Sequence, residues 1–104
     1  MKFVKANSGS GTCLQGYVDV SYAKLVEVFG KPHSKGDEYK VDAEWVVKFE
    51  DGTLATIYNY KTGKNYLGKK EGQAVKNIRD WHVGGFKKEA AVRVSEALGV
   101  ALAT

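Results

Sequence analysis

The segment Asp80-Trp81-His82-Val83-Gly84-Gly85-Phe86-Lys87-Lys88 holds the densest set of side chains able to do chemistry. In an extended strand Asp80 and His82 point to one side and Trp81 to the other. The carboxylate could then orient the imidazole for acid–base work, or simply hydrogen-bond near a sheet edge. Gly84 and Gly85 read as a break that leaves backbone amides open ahead of a helix N-terminus, where partial positive charge accumulates. With His82, Lys87 and Lys88 beside them, such amides would suit a bound anion; the plainer reading is a glycine turn followed by solvated lysines. A second group comprises Tyr58, Tyr60, Lys61, Lys64, Tyr66, Lys69 and Lys70. Aromatics interleaved with lysines suit base stacking and phosphate contact. They equally describe a strand end running into a wet loop.

Other chemistry finds little support. Cys13 is the single cysteine, so no internal disulfide forms, and nothing places His33 or His82 beside it as a base. One cysteine and two distant histidines do not make a metal site. Asp37-Glu38 and Glu50-Asp51 read as loop and turn charges. Asn7 to Gly11 is a glycine–serine loop with no lysine after it to hold a phosphate. We therefore expect no cofactor, no metal and no enzymatic activity, with a small enzyme built on Asp80 and His82 as the minor alternative.

The elements that must position these residues are legible from periodicity. Residues 2–6 and about 12–20 read as short strands. Ser21 is a good N-cap, Tyr22, Leu25, Val26 and Phe29 follow at helical spacing, and Gly30 and Pro32 end the run, so a helix is expected over 22–29. Residues 44–50 and 53–60 read as a hairpin closed by Asp51-Gly52 as a two-residue type I′ turn. That turn would set Trp45 opposite Tyr58, Val47 opposite Thr56 and Phe49 opposite Leu54 on one inward face. Val46 with Ile57 and Lys48 with Ala55 would lie on the other, half-solvated face. Residues 61–73 read as a long loop, 78–83 as a further strand, and 87–102 as an amphipathic helix with Ala90, Ala91, Val94, Ala97, Leu98 and Ala101 on one stripe. The fold class expected is α+β: an antiparallel sheet of about three to five strands with both helices on one face, as a single domain over 1–104.

The chain has 104 residues and a net charge of +4. The charge is uneven. Residues 1–58 carry seven lysines and eight acids, a balance of −1, whereas residues 59–104 carry nine Lys or Arg and four acids, a balance of +5. The second half should attract anions, whether nucleic acid or an acidic protein face. No segment approaches the roughly 20 apolar residues that span a bilayer. No apolar run marks a signal peptide, and a cytoplasmic location is expected.

Two resemblances add to this reading. The helix ending in Phe29-Gly30-Lys31-Pro32, followed by Glu44-Trp45-Val46-Val47-Lys48-Phe49 and Asp51-Gly52, is similar to helix-on-sheet modules of the β-lactamase-inhibitor-protein type. The fuller pattern over about 22–88 is Phe-Gly-x-Pro, Glu-Trp-Val-Val-x-Phe-x-Asp-Gly, Thr-Ile-Tyr-Asn-Tyr-Lys and Asp-Trp-His-Val-Gly-Gly. It resembles a group of small bacteriophage-encoded proteins. That resemblance implies an accessory role in infection, acting in the host cytoplasm by binding and inhibiting a host antiviral component, a protein or an RNA–protein complex. It transfers no catalytic residues. The alternative is a nucleic-acid or nucleotide-binding module. A homodimer through an exposed strand edge is also open.

Overall fold

A computed structural model of the chain describes residues 2–6, 9, 11–32, 43–60, 67–68 and 74–102. Its elements in chain order are β1 (Phe3–Lys5), β2 (Cys13–Asp19), α1 (Tyr22–Phe29), β3 (Glu44–Phe49), β4 (Leu54–Tyr58), a 3-10 turn (Val75–Asn77), β5 (Asp80–Gly85) and α2 (Glu89–Leu98). The strands form one antiparallel sheet in the order β1-β3-β4-β5-β2. The fold is α+β.

Helix α1 matches its sequence signals residue for residue. Ser21 Oγ accepts the Lys24 amide at 3.1 Å, which satisfies one of the first-turn donors. Gly30, at φ 84°, closes the last turn by donating to Val26 O. Helix α2 stops at Leu98, short of the expected 102. Gly99 turns left-handed at φ 69°, its amide bonds to Glu96 O and the Val100 amide to Ser95 O. That paired closure is the Schellman motif.

The β3–β4 hairpin corrects the expected register. Trp45 pairs with Ile57, Val46 with Thr56, Val47 with Ala55 and Lys48 with Leu54. The Phe49 amide bonds to Thr53 O and the Gly52 amide to Phe49 O. The loop therefore has three residues, Glu50, Asp51 and Gly52, with Gly52 at φ 89°. This is a type I turn followed by a left-handed glycine, not the two-residue turn. The extra residue shifts every cross-strand pair by one, so Trp45 and Tyr58 lie on opposite faces of the sheet.

One face is thereby wholly apolar. Trp45, Val47, Phe49, Ala55, Ile57, Trp81, Val83 and Val18 pack beneath Leu25 and Phe29 of α1 and Ala90, Ala91, Val94 and Leu98 of α2. Trp45 and Trp81 meet edge to face at 5.4 Å, both fully buried, with Tyr22 against them. Their indole N–H groups are satisfied: Trp45 Nε1 donates to Gly30 O at 2.8 Å, and Trp81 Nε1 to Val20 O at 3.0 Å and Ile78 O at 3.2 Å. These bonds tie the ends of α1 and β2 and the turn before β5 to the middle of the core.

Gly84 and Gly85 also depart from expectation. They continue β5 rather than break it, pairing with Thr56 and Ala55 of β4 on one side and with Leu14 and Cys13 of β2 on the other. The open amides expected there are spent in the sheet. Gly85 is needed for close approach, because a Cβ on it would land on the Cβ of Ala90 in α2 and 3.1 Å from Leu54 O. The Cβ of Ala90 cannot swing aside. Gly85→Ala is expected to lift α2 off the sheet and cost about 1–3 kcal/mol, the usual cost of overpacking, read as a lower urea midpoint.

The hairpin loop is tied to α2 by Arg93, whose Nε lies 3.0 Å from Asp51 Oδ2. Hydrogen bonds from Thr53 and then from Arg93 hold Asp51 down to about 2. A depressed carboxyl stabilises the fold above its unfolded-state value and loses that contribution as pH falls through the folded one. Asp51→Asn should therefore lower the urea midpoint at pH 7, and the deficit should close as the pH approaches 2.

Candidate functional site

Among the described residues, neither α1 nor α2 lies on the second face of the sheet. Its side chains follow from the same alternation. Glu44 pairs with Tyr58, Tyr58 with His82, and His82 with Tyr17, so one row crosses β3, β4, β5 and β2. The next row is Val46, Thr56, Gly84 and Leu14. Thr56 is buried at 2% exposure although it lies on this helix-free side. Gly9 sits on its methyl group, and Gly84 leaves room for its hydroxyl and for the Tyr58 ring.

His82 is the centre of an aromatic group. Its ring centroid lies 4.9 Å from Tyr17, 5.5 Å from Tyr58 and 5.7 Å from Tyr60. The Tyr17 and Tyr58 rings stand nearly perpendicular to it, at 84° and 74°. Such edge-to-face contacts are favourable beyond the area they bury. The Tyr17–His82 pair is close because its two backbones do not bond to each other. Val20 donates to Arg79 O, so by alternation Gly16 and Val18 bond to β5 while Tyr17 and Asp19 do not.

Burial lowers the His82 pKa below its ordinary value, and the Asp80 carboxylate only partly offsets this. The imidazole is therefore neutral at pH 7. Tyr58 is raised, first by burial and then by Glu44, and stays protonated. At neutral pH the row presents neutral rings that carry donors and acceptors.

Tyr58, Tyr60 and His82 are thus brought together. Asp80 and His82 do share a side of β5, with Trp81 buried on the other, but among the described residues no hydrogen bond joins them. Lys87 and Lys88 are exposed just before α2, where Lys88 occupies the cap position with no side-chain cap bond. Gly84 and Gly85 floor the sheet instead of forming an anion loop. Lys61, Lys64, Tyr66, Lys69 and Lys70 lie outside the described residues. Tyr17 and Glu44 belong to the row and were not among the expected site residues. Tyr17 could be placed only by knowing that β2 lies beside β5. Among the described residues no group of three or more His, Cys, Asp or Glu could hold a metal, and no helix is long and apolar enough to cross a membrane.

The depressed His82 pKa has a measurable consequence. Below about pH 6.5 the unfolded chain takes up a proton that the folded imidazole resists. Stability should fall as pH drops from 7.5 to 5.5, and His82→Gln should flatten that part of the profile. A variant profile as steep as the parent's would remove His82 as the cause.

Comparison with protein-family models, curated proteins and solved structures gives no match to the chain.

Proposed function

We propose that the chain is a non-catalytic binding protein whose recognition surface is the helix-free face of the sheet, and that its target is a protein component of a host antiviral defence. The observation that carries the binding reading is the grouping of Tyr17, Tyr58 and Tyr60 around a neutral His82 on that face. Tyrosines bury a large rigid surface and keep a polar tip, which is why they recur as anchors of protein interfaces. Four of the exposed large apolar side chains also lie on this side or at its rim: Val4, Leu14, Tyr60 and Phe86. The phage-like sequence pattern supplies the choice of target.

The charges described around the row favour a protein over a phosphate backbone. Glu44 ends the row and Asp80 sits beside His82 on the same face. The Asp80 carboxylate would repel phosphate and suits an arginine or lysine laid over the tyrosine rings. The nucleic-acid reading keeps one supporting observation: an antiparallel sheet with exposed aromatics is also how RNA-binding modules stack bases.

The experiment is a plaque assay in cells carrying a defence system, with and without the expressed chain, alongside a nuclease-treated pull-down of that system's purified components. Protection and salt-tolerant capture of a protein component are expected. Tyr58→Ala should weaken capture about 30-fold, the equivalent of a 2 kcal/mol anchor, with the melting curve of the fold retained. Absence of both protection and capture overturns the proposal. Capture that disappears with nuclease, or that falls steeply with salt, transfers it to nucleic acid.

A further inference from the structure

The two edges of the sheet are built differently. β1 has three residues, ends in exposed Lys5 and is preceded by exposed Lys2. Short length and lysines are the ordinary means by which an edge avoids pairing with another chain. β2, at the other edge, has seven residues, Cys13-Leu14-Gln15-Gly16-Tyr17-Val18-Asp19, with neither lysine nor proline; its pairing with β5 shifts by one residue at a bulge between Leu14 and Gly16, so the regular part of the edge is Gly16–Asp19. Its inner side bonds to β5 alone. Because Val20 donates to Arg79 O, the alternation turns the N–H and C=O of Tyr17 and Asp19 outward, and among the described residues no backbone group meets them. Leu14, 45% exposed, and the exposed Cys13 continue the same edge.

We infer that two copies of the chain pair through β2, antiparallel about a two-fold axis at Tyr17, to give a continuous ten-stranded sheet. The occupant follows from how β2 meets itself. With the axis at Tyr17, the outward amide and carbonyl of Tyr17 bond to those of Tyr17 in the second copy. Val18 then falls opposite Gly16, a large residue against a small one, on the helix side. Asp19 falls beside the bulge at Gln15, which carries no charge, so no like charges meet. An axis at Asp19 would set carboxylate against carboxylate, which cross-strand pairing disfavours. The axis at Tyr17 also joins the two aromatic rows end to end: Glu44, Tyr58, His82 and Tyr17 run on into Tyr17, His82, Tyr58 and Glu44 of the second copy. A C2 interface requires a patch complementary to itself, and this edge supplies one in backbone bonding, side-chain size and charge.

A one-strand contact is small, of the class below roughly 1,200 Å² that dissociates readily. Sedimentation equilibrium is therefore run on the full chain from low micromolar to near-millimolar concentration. Reversible dimerisation is expected. Tyr17→Lys sets two ammonium groups across the axis and should weaken association at least tenfold. Val4→Lys on the opposite edge should leave it unchanged. Far-UV circular dichroism and melting confirm that each variant is folded. If Tyr17→Lys does not fold, the combined variant Cys13→Ser, Tyr17→Cys gives the reading instead. Residues facing each other in a bonded antiparallel pair have Cα atoms about 5.5 Å apart, within disulfide reach, so the two introduced thiols should oxidise to a covalent dimer. A parent that stays monomeric throughout, a dimer indifferent to Tyr17→Lys, or thiols at position 17 that fail to cross-link each overturns the inference. Partner capture through Tyr58 and His82, one and two strands in from this edge, is read separately and survives any of those outcomes.

Discussion

One residue of hairpin register decides what each face of this protein is. With the three-residue loop Glu50-Asp51-Gly52, the odd-numbered positions of β3 and β4 turn toward the helices and the even-numbered ones turn away. The inward set is then Trp45, Val47, Phe49, Ala55 and Ile57, which carries no polar side-chain atom except one indole N–H, and that donates to Gly30 O. The outward set is Glu44, Val46, Lys48, Leu54, Thr56 and Tyr58. A two-residue loop would have paired Trp45 with Tyr58 and Val47 with Thr56, carrying two hydroxyls into the core, where each would need a partner or cost free energy. Gly52 at positive φ makes the longer loop inexpensive, since a residue with a Cβ is strained there. Asp51 then fastens the loop through its bonds to the Thr53 amide and Arg93.

From that constraint the two sides of the sheet acquire different physics. On the helix side, close packing is the rule, and it is carried furthest at Gly85, where α2 comes near enough to the strand that a methyl group would collide. Around His82 on the opposite side, rings replace aliphatic packing, and half-burial replaces full burial. His82 sits deep enough to lose its charge but not its access to solvent. Its three tyrosine neighbours come from β2, β4 and the residues after β4, so the group exists only when β4, β5 and β2 lie side by side. A cluster assembled from three strands is as rigid as the sheet itself. A partner of such a surface would meet little ordering cost, since the side chains of the surface are already held by one another.

The sequence carried the elements better than their relations. Helix α1 was legible because Ser21, Gly30 and Pro32 act within a few residues, and cap chemistry is local. The two hairpin strands were legible for the same reason. The register was not, because Asp-Gly fits both a type I′ loop and a type I loop with a following left-handed glycine. The signal that separates them is the choice between burying Ala55 with Ile57 or Thr56 with Tyr58, and the two hydroxyls favour the first. Gly84 and Gly85 read as a break because glycine is a poor strand former. Their true cause is non-local: Thr56 and Tyr58 crowd one and Ala90 the other. Of the site, Tyr58, Tyr60 and His82 were found by type and spacing, whereas Tyr17 depends on β2 crossing to the far edge beside β5, which no local pattern encodes.

That crossing also explains why the aromatic row ends at an edge. In chain order β2 precedes the hairpin, yet in space β5 separates it from β4. The strand that closes the row is therefore an edge strand, with no neighbour beyond it among the described residues. Its inner side is satisfied through Gly16, Val18 and Val20, and the backbone of Tyr17 and Asp19 turns away from β5, where among the described residues no backbone group meets it. A buried side-chain surface that stops at an interior strand ends where the backbone is already paired; one that stops at an edge ends where hydrogen-bonding capacity remains. Here the side-chain row meets, at one residue, Tyr17, the backbone of β2 that no described residue pairs with. Whatever pairs with that backbone must also place a side chain against the Tyr17–His82 contact, so backbone pairing and ring packing at this edge are physically inseparable.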